Sequence, residues 1–285
     1  MNFWQRPIET LHELLQKRSP HLRQVRHFPS RALGREMDFD VYLPPDYHLS
    51  PGKTYPLLLI NDGQDLQPMG FSKILENGYF KGYFPPFIAV GIFADHNRMR
   101  EYGTARQPDY KGRGDLAPLF TLFVLDELLP LLERRFRVSH HAGHRTYAGF
   151  SLGGLSAFDI AWRHPHVFGN IGVFSGALWW RWSQVDPNDP DADRILHDIV
   201  CKTHEWPAGQ RYWFQCGTHD ETDDRNNNGV TDSIDDTLDL IRDLRHKGCP
   251  DADIRYLEIE GGEHNVATWA RAMPNFLQWM LGARL

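Results

Sequence analysis

Residues 146–158 read TYAGFSLGGLSAF, and this stretch decides the fold. A short apolar run leads into a G-x-S-x-G made by Gly149, Ser151 and Gly153, and the residues after it open a helical pattern that runs to about Trp162. A serine at so sharp a strand-to-helix turn sits in a strained conformation, and glycines two positions before and after it let strand and helix approach closely. The helix N-terminus behind the serine offers free amides and positive dipole to developing negative charge. The competing structural reading is a glycine-rich turn with a capping serine; the strand before it and the helix after it argue against that reading.

Working outward, short and nearly continuous apolar runs, YPLLLIND at 55–62 and PFIAVGIF at 86–93, suit strands buried on both faces of a parallel sheet. Between these and the serine lies LAPLFTLFVLDELLPLLERRF at 116–136, a long amphipathic helix candidate, with Pro130 as the residue that most weakens that reading. After the serine helix the pattern continues as the strands VFGNIGVFSG and QRYWFQCGT, the helix DDTLDLIRDLRHKG, the strand ADIRYLEIEG and the final helix HNVATWARAMPNFLQWML. Upstream, Met37, Phe39, Val41 and Leu43 alternate before Pro44 and Pro45, with Gly34 separating this strand from a preceding one. The expectation is an α/β sandwich: a mostly parallel central sheet with an antiparallel N-terminal hairpin and helices on both faces. Residues 180–210, rich in Asp and Pro, form an excursion with a short helix around 195–203. Ile8, Leu11, Leu14 and Leu15 suggest an amphipathic helix within an N-terminal helical extension of residues 1–27, on a single domain spanning 1–285.

Composition narrows the function. Of 285 residues, 41% are hydrophobic and 24% charged, as in an ordinary globular protein, and the net charge of −6 argues against nucleic acid or an anionic membrane as main partner. The polar start MNFWQRPIETLHELLQKRS has no apolar run of signal-peptide length, and no later run is long enough to span a bilayer. The three cysteines, Cys201, Cys216 and Cys249, lack metal-type spacing and read as reduced thiols. A cytoplasmic location is expected.

A nucleophilic serine needs a base, and the base needs an orienting carboxylate. In YLEIEGGEHNVATWA a strand ends at Gly261–262, and His264 stands where the last helix begins. Asp220 stands just beyond the strand QRYWFQCGT, with Glu221, Asp223 and Asp224 as alternatives in the same loop. The chain order Ser151, Asp220, His264 places all three at the C-terminal edge of a parallel sheet, where sites in open α/β sheets form. Oxyanion donors are expected from the amide of Leu152, after the serine, and that of Gln64, in the DGQ turn after YPLLLIND. Trp179 and Trp180 either face the cleft or pack a lid; Arg100 and Glu101 either contact substrate or pair with each other.

These residues resemble the esterase D and enterochelin esterase-like branch of the α/β-hydrolases, which also includes some feruloyl esterases and mycolyltransferases. The resemblance covers residue 28 to the C-terminus. It rests on VYLPPDY, LLINDGQDL, NRMREYG with the following LLPLLERRF, YAGFSLGGLSAF, VFSGALWW, FQCGTHDE and GGEHNVATW. It implies the α/β-hydrolase fold and an esterase with Ser151 as nucleophile, Asp220 as acid, His264 as base and the amides of Gln64 and Leu152 as oxyanion donors, acting on a small-molecule ester without a required cofactor. The separate N-terminal binding domain of enterochelin esterases has no counterpart here, which weighs against a siderophore substrate. Acyl transfer to an alcohol, and a catalytically silent binding module, are the rival functions.

One motif stands apart. Residues 224–235, DRNNNGVTDSID, place Asp224, Asn226, Asn228, Val230 (through its carbonyl), Asp232 and Asp235 at positions 1, 3, 5, 7, 9 and 12 of a calcium-loop pattern, with Gly229 at 6. A strand precedes it where an EF-hand has a helix, and position 12 is Asp instead of Glu. A structural calcium ion and a polar Asx-rich turn are both open readings.

Overall fold

In a computed structural model, residues 19–204 and 206–282 are described. Eight strands form one sheet: β1 (His21–Ser30), β2 (Arg35–Leu43), β3 (Leu57–Asn61), β4 (Ile88–Ile92), β5 (Arg145–Phe150), β6 (Asn170–Phe174), β7 (Arg211–His219) and β8 (Ile254–Glu263). Their spatial order is β1-β2-β4-β3-β5-β6-β7-β8. β1, β2 and β4 pair antiparallel and every later pair is parallel, so the N-terminal hairpin caps one edge of a parallel sheet. The continuous apolar runs occupy its middle, and every residue of β3, β4, β5 and β6 is buried.

Helices cover both faces. On one lie the long helix α2 over 117–135, α3 (Leu152–Arg163), α4 (Ile195–Lys202) and α5 (Asp232–His246), packed through Phe120, Phe123, Leu155, Phe158, Leu196 and Leu240. On the other lie α1 (Phe71–Lys81) and α6 (Val266–Leu281), packed through Phe71, Leu75, Phe276 and Leu277. This agrees with the expected α/β sandwich, down to the short helix inside the 180–210 excursion.

One expectation is corrected. The helical extension assigned to residues 1–27 does not reach that far: His21 already begins β1, whose Leu22, Arg23, Gln24 and Val25 pair with Tyr42, Val41, Asp40 and Phe39. Pairing with β2 satisfies those of their amides and carbonyls that face it. The helix expected around 8–18 lies outside the described residues. Pro130, for its part, does not end α2. The segments Ala117–Leu122 and Leu129–Arg135 are joined by a π-helical turn, Phe123–Leu128, with Pro130 at the start of the last segment. The wider turn accommodates a residue with no amide hydrogen and a ring that clashes with the carbonyl four residues back.

That turn also fastens the hairpin. Glu127 Oε2 accepts from Ser30 Oγ at 2.7 Å, and its Oε1 accepts from the amides of Arg31 and Ala32 at 2.9 Å each. Three donors on one carboxylate tie the β1–β2 turn to α2. Glu127→Ala is expected to lower unfolding stability by about 1–3 kcal/mol in urea denaturation, because it strips the turn amides of their acceptor; a change within about 0.5 kcal/mol, as for an ordinary surface site, would contradict this role.

Candidate active site

Ser151 sits between β5 and α3 with φ 54° and ψ −123°, a conformation that L-residues rarely adopt. The flanking glycines are sterically required. A Cβ on Gly149 would lie 2.3 Å from the Gly153 carbonyl oxygen, and one on Gly153 would lie 2.5 Å from Asp62 Oδ2. The turn is held by its backbone: Ser151 N donates to Phe174 O at 2.8 Å, and Ser151 O accepts from Gly154 N at 3.0 Å and Ala177 N at 3.1 Å.

The same steric data place the loop after β3 against this turn. Asp62, buried and left-handed at φ 60°, redirects the chain into a short 3-10 turn over Gly63–Asp65. Gly63 itself abuts Gly91 of β4, where a Cβ would meet the Gly91 carbonyl carbon at 2.2 Å. The Gln64 side chain is occupied, its Oε1 accepting from Ala94 N at 3.0 Å and its Nε2 donating to Asp62 Oδ1 at 3.3 Å. The amides of Gln64 and Leu152 donate to no acceptor among the described residues, as anion-binding donors require.

One residue braces the two loops, and the sequence reading passed over it. Arg98 Nε donates to Asp62 Oδ1 at 2.7 Å and its Nη2 to Asp62 Oδ2 at 2.8 Å, while the same Nη2 reaches Phe150 O at 3.4 Å. A bidentate pair fixes angle as well as distance. Arg100 and Glu101, chosen instead from NRMREYG, do other work and do not pair with each other. Arg100 is exposed and pairs with Asp115; Glu101 is buried and takes Arg35 through both carboxylate oxygens at 2.6 and 2.5 Å. Residues 98–101 form a single helical turn, so 98 and 101 turn inward together and 100 turns out. That period was the signal available in the sequence.

β7 runs past Cys216 to His219, and Asp220 follows directly. Its Oδ2 accepts from Gly217 N at 2.9 Å, and its Oδ1 is buried without a partner at hydrogen-bond distance. His264 precedes the N-cap of α6, where Asn265 accepts from Thr268 N at 3.0 Å and Thr268 Oγ1 accepts from Glu263 N at 2.9 Å. This reciprocal cap fixes the turn on which the imidazole stands. Asp220 and His264 face each other closely enough to shift one another's ionisation. Burial raises the Asp220 carboxyl above its ordinary range, against the Gly217 amide, the Ser175 hydroxyl and His264, which favour the anion. Burial lowers His264, against Asp220 and with help from Arg98, so the imidazole is a neutral acceptor at neutral pH.

The alternative carboxylates have other employment. Burial pushes Glu221 up to about 7, and its side chain is turned to the Ser233 amide at the start of α5. Asp224 Oδ1 and Oδ2 accept the amides of Asn228 and Gly229 at 3.0 and 2.9 Å. Of the calcium-loop positions, Asn226 and Asn228 converge on Asp235, their Nδ2 atoms lying 2.8 and 3.1 Å from its Oδ2. Asn228 Oδ1 takes the amide of Val230 at 2.8 Å. Asp232 Oδ1 accepts from the Arg225 amide at 2.9 Å and lies 3.3 Å from its Nη1. Asp235 also approaches Asp191 and Asp239, which the loop pattern did not include, and these are paired with Arg225 and Arg194.

The two tryptophans part company. Trp180 is fully buried, its ring against Gly103 and Gly114, where added Cβ atoms would meet it at 3.0 Å. Trp179 is half-buried and lines a cleft of about 390 Å³ with Tyr110, Arg113, Val185 and Glu221. Arg113 lies over the Trp179 ring at 5.0 Å. The cleft opens beside the site, since Trp179 is two residues from Ala177, which bonds Ser151, and Glu221 adjoins Asp220.

The sequence model of the esterase family, described as "Putative esterase", matches residues 30–280. The iron(III) enterobactin esterase of Escherichia coli is 31% identical over 126 residues, 44% of this chain and 29% of that protein. The endo-1,4-beta-xylanase/feruloyl esterase of Xylanibacter ruminicola is 28% identical over 192 residues, 64% of this chain and 25% of that protein. The chain thus spans about a quarter of the length of these two relatives. Among solved structures, a ferulic acid esterase superposes with a TM-score of 0.70 at 21% identity, covering 92% of this chain and 98% of that one. The enterobactin esterase of Shigella flexneri gives 0.72 at 20% identity, covering 92% and 60%. Both share the fold. Among the described residues, no helix is long and apolar enough to cross a membrane.

The Arg98–Asp62 pair makes a stability claim. Arg98→Met strands a buried carboxylate and is expected to cost about 3–5 kcal/mol in urea denaturation, with Asp62→Asn added to it recovering part of the loss. If the double variant is no more stable than Arg98→Met, the stranded charge is not the cause.

Proposed function

Because the chain belongs to the esterase family and is a carboxylic ester hydrolase, we propose that it works through an acyl-enzyme on Ser151, with His264 as general base and Asp220 as the acid that orients it. The observation that carries this reading is the strained turn at Ser151, with two unclaimed amides next to it and a neutral imidazole backed by a buried carboxylate. His264 takes the hydroxyl proton as Ser151 Oγ bonds to the ester carbonyl carbon. The oxyanion is held by the Gln64 and Leu152 amides, the C–O bond to the alcohol breaks, and the proton passes from His264 to the departing alcohol oxygen. Water then attacks the acyl carbon, gives a proton to His264, and the acid leaves as Ser151 recovers its hydrogen.

The cleft beside the site favours an aromatic substrate. Trp179 and Tyr110 offer aromatic walls, and the cations that line it are mostly committed, Arg113 to Asp109 and Arg225 to Asp191 and Asp236. Such a lining suits a planar aromatic group better than a free anion. The ferulic acid esterase among the structural neighbours and the feruloyl esterase relative accord with an aromatic acyl ester.

Ser151→Ala is expected to lower ester turnover at least about 10⁴-fold without loss of fold, and to abolish labelling by a fluorophosphonate. Retained turnover would refute the assignment. Wild-type protein that neither labels nor turns over aromatic esters would favour a binding module. Because His264 is held below its ordinary range, it stays unprotonated, and the rate stays up, to lower pH than an exposed histidine would allow. Trp179→Ala should raise KM for an aromatic ester by about 5- to 20-fold and change an acetyl ester much less, the size expected for one lost hydrophobic wall; equal effects on both esters would remove Trp179 from the subsite.

A further inference from the structure

One indole touches the segments that carry Ser151 and His264 and, through Ser175, reaches toward Asp220. Trp269, on the first turn of α6, stacks on Phe150, the residue before Ser151, with centroids 4.9 Å apart and 19° between planes. His264 meets it edge-on, centroids 5.5 Å apart at 79°. Its Nε1 donates to Ser175 Oγ at 3.0 Å, and the Ser175 hydroxyl lies against the Asp220 carboxyl. Both residues are buried, Trp269 at 6% exposure and Ser175 at 1%.

Accepting the triad reading above, we propose that Trp269 and Ser175 are positioning residues for the acid: the indole N–H fills an acceptor site on Ser175 Oγ, which turns the one hydroxyl proton toward Asp220. A serine hydroxyl has one donor and two acceptor positions, so a fixed donor on one side selects where its own hydrogen goes. The Gly217 amide already holds Oδ2 at 2.9 Å, and Oδ1, buried without a partner at hydrogen-bond distance, is the oxygen left for His264. Ring packing alone would not need a tryptophan. Phenylalanine could stack on Phe150 and back His264, and only the indole adds a donor. Ser175 is placed at a cost, in a left-handed conformation at φ 44° with its amide on Gln215 O at 2.7 Å. Non-glycine residues keep such backbone where the surroundings impose it, and these surroundings are the site.

The charged and titratable groups facing the couple are few. His264 and the Cys216 thiol, which burial pushes up to about 12 and so keeps neutral, face Asp220; Asp220 and Arg98 face His264. Loss of the Ser175 donor therefore acts in one direction. The carboxylate holds a proton more readily, and, less satisfied, it also binds the imidazolium more tightly. Both effects move the acid limb of the rate profile upward.

The test measures kcat/KM of the full chain on p-nitrophenyl acetate against pH, for wild type, Ser175→Ala, Trp269→Phe and the double variant. Ser175→Ala should shift the acid limb up by about 0.5–1 pH unit, the scale of one hydrogen bond to a charged group. Trp269→Phe should shift it the same way by less, and the double variant should match Ser175→Ala, since the indole acts through that hydroxyl. Ser175→Cys, similar in size and a weaker donor, should fall between wild type and Ser175→Ala, and it serves if the alanine variant does not fold. A lower plateau with an unmoved limb, or shifts that add in the double variant, would overturn the relay and leave only packing. Ser151→Ala separates the two readings: if it retains turnover the triad itself fails, whereas Ser151-dependent turnover with an unmoved limb sinks the relay alone.

Discussion

The contact on which the rest depends is the close approach of β5 and α3 around Ser151. Gly149 and Gly153 meet where no side chain fits, and Asp62 presses against the same point from the neighbouring strand. A turn that tight leaves the serine strained and leaves the first amides of α3 without backbone acceptors. Both consequences are useful to acyl transfer, and neither is stable alone. The cost is met by the surrounding sheet, whose central strands are buried throughout, and by the Asp62–Arg98 pair, which locks the loop after β3 to the serine turn.

Electrostatics at the site follow from burial more than from charge pairing. Burial raises Asp220 and lowers His264, which disfavours the charged form of each, and each partly offsets that for the other. The acid is further supported by the Gly217 amide and the Ser175 hydroxyl, and the base is opposed by Arg98. In the proposed reaction the imidazole starts neutral and able to accept a proton, and the cation formed there meets a ready carboxylate. Arg98 touches both ends of this arrangement, bracing the loop after β3 and adding to the burial that lowers His264.

Much of this was legible in the residues themselves. The serine turn, the sheet of alternating strands and helices, the hairpin and the positions of Asp220 and His264 all follow from local patterns: glycines at fixed offsets, apolar runs of strand length, and polar residues just past strand ends. What was not legible depended on tertiary partners. Arg98, Arg100 and Glu101 are all charged and close in sequence, and only the inward face of one helical turn separates a brace from a surface ion pair. Asp232 fits a calcium-loop spacing, and its pairing with Arg225 of the same loop has no signal in that spacing. Residues 21–27 carry no strong strand signal of their own and become β1 because β2 offers an edge to pair with. Ser175 and Trp269 lie within the stretches quoted for the resemblance, but their link to each other spans 94 positions, and no local pattern reports it.

The central claim is that ester cleavage passes through a covalent acyl group on Ser151. The most direct measurement is acid quenching of wild-type protein within the first turnovers of an activated aromatic ester, followed by intact-mass analysis and peptide mapping. The account predicts a burst of alcohol release and a mass increase of one acyl group, confined to the peptide that contains Ser151. Steady turnover with no burst and no adduct, or an adduct on another residue, would contradict it.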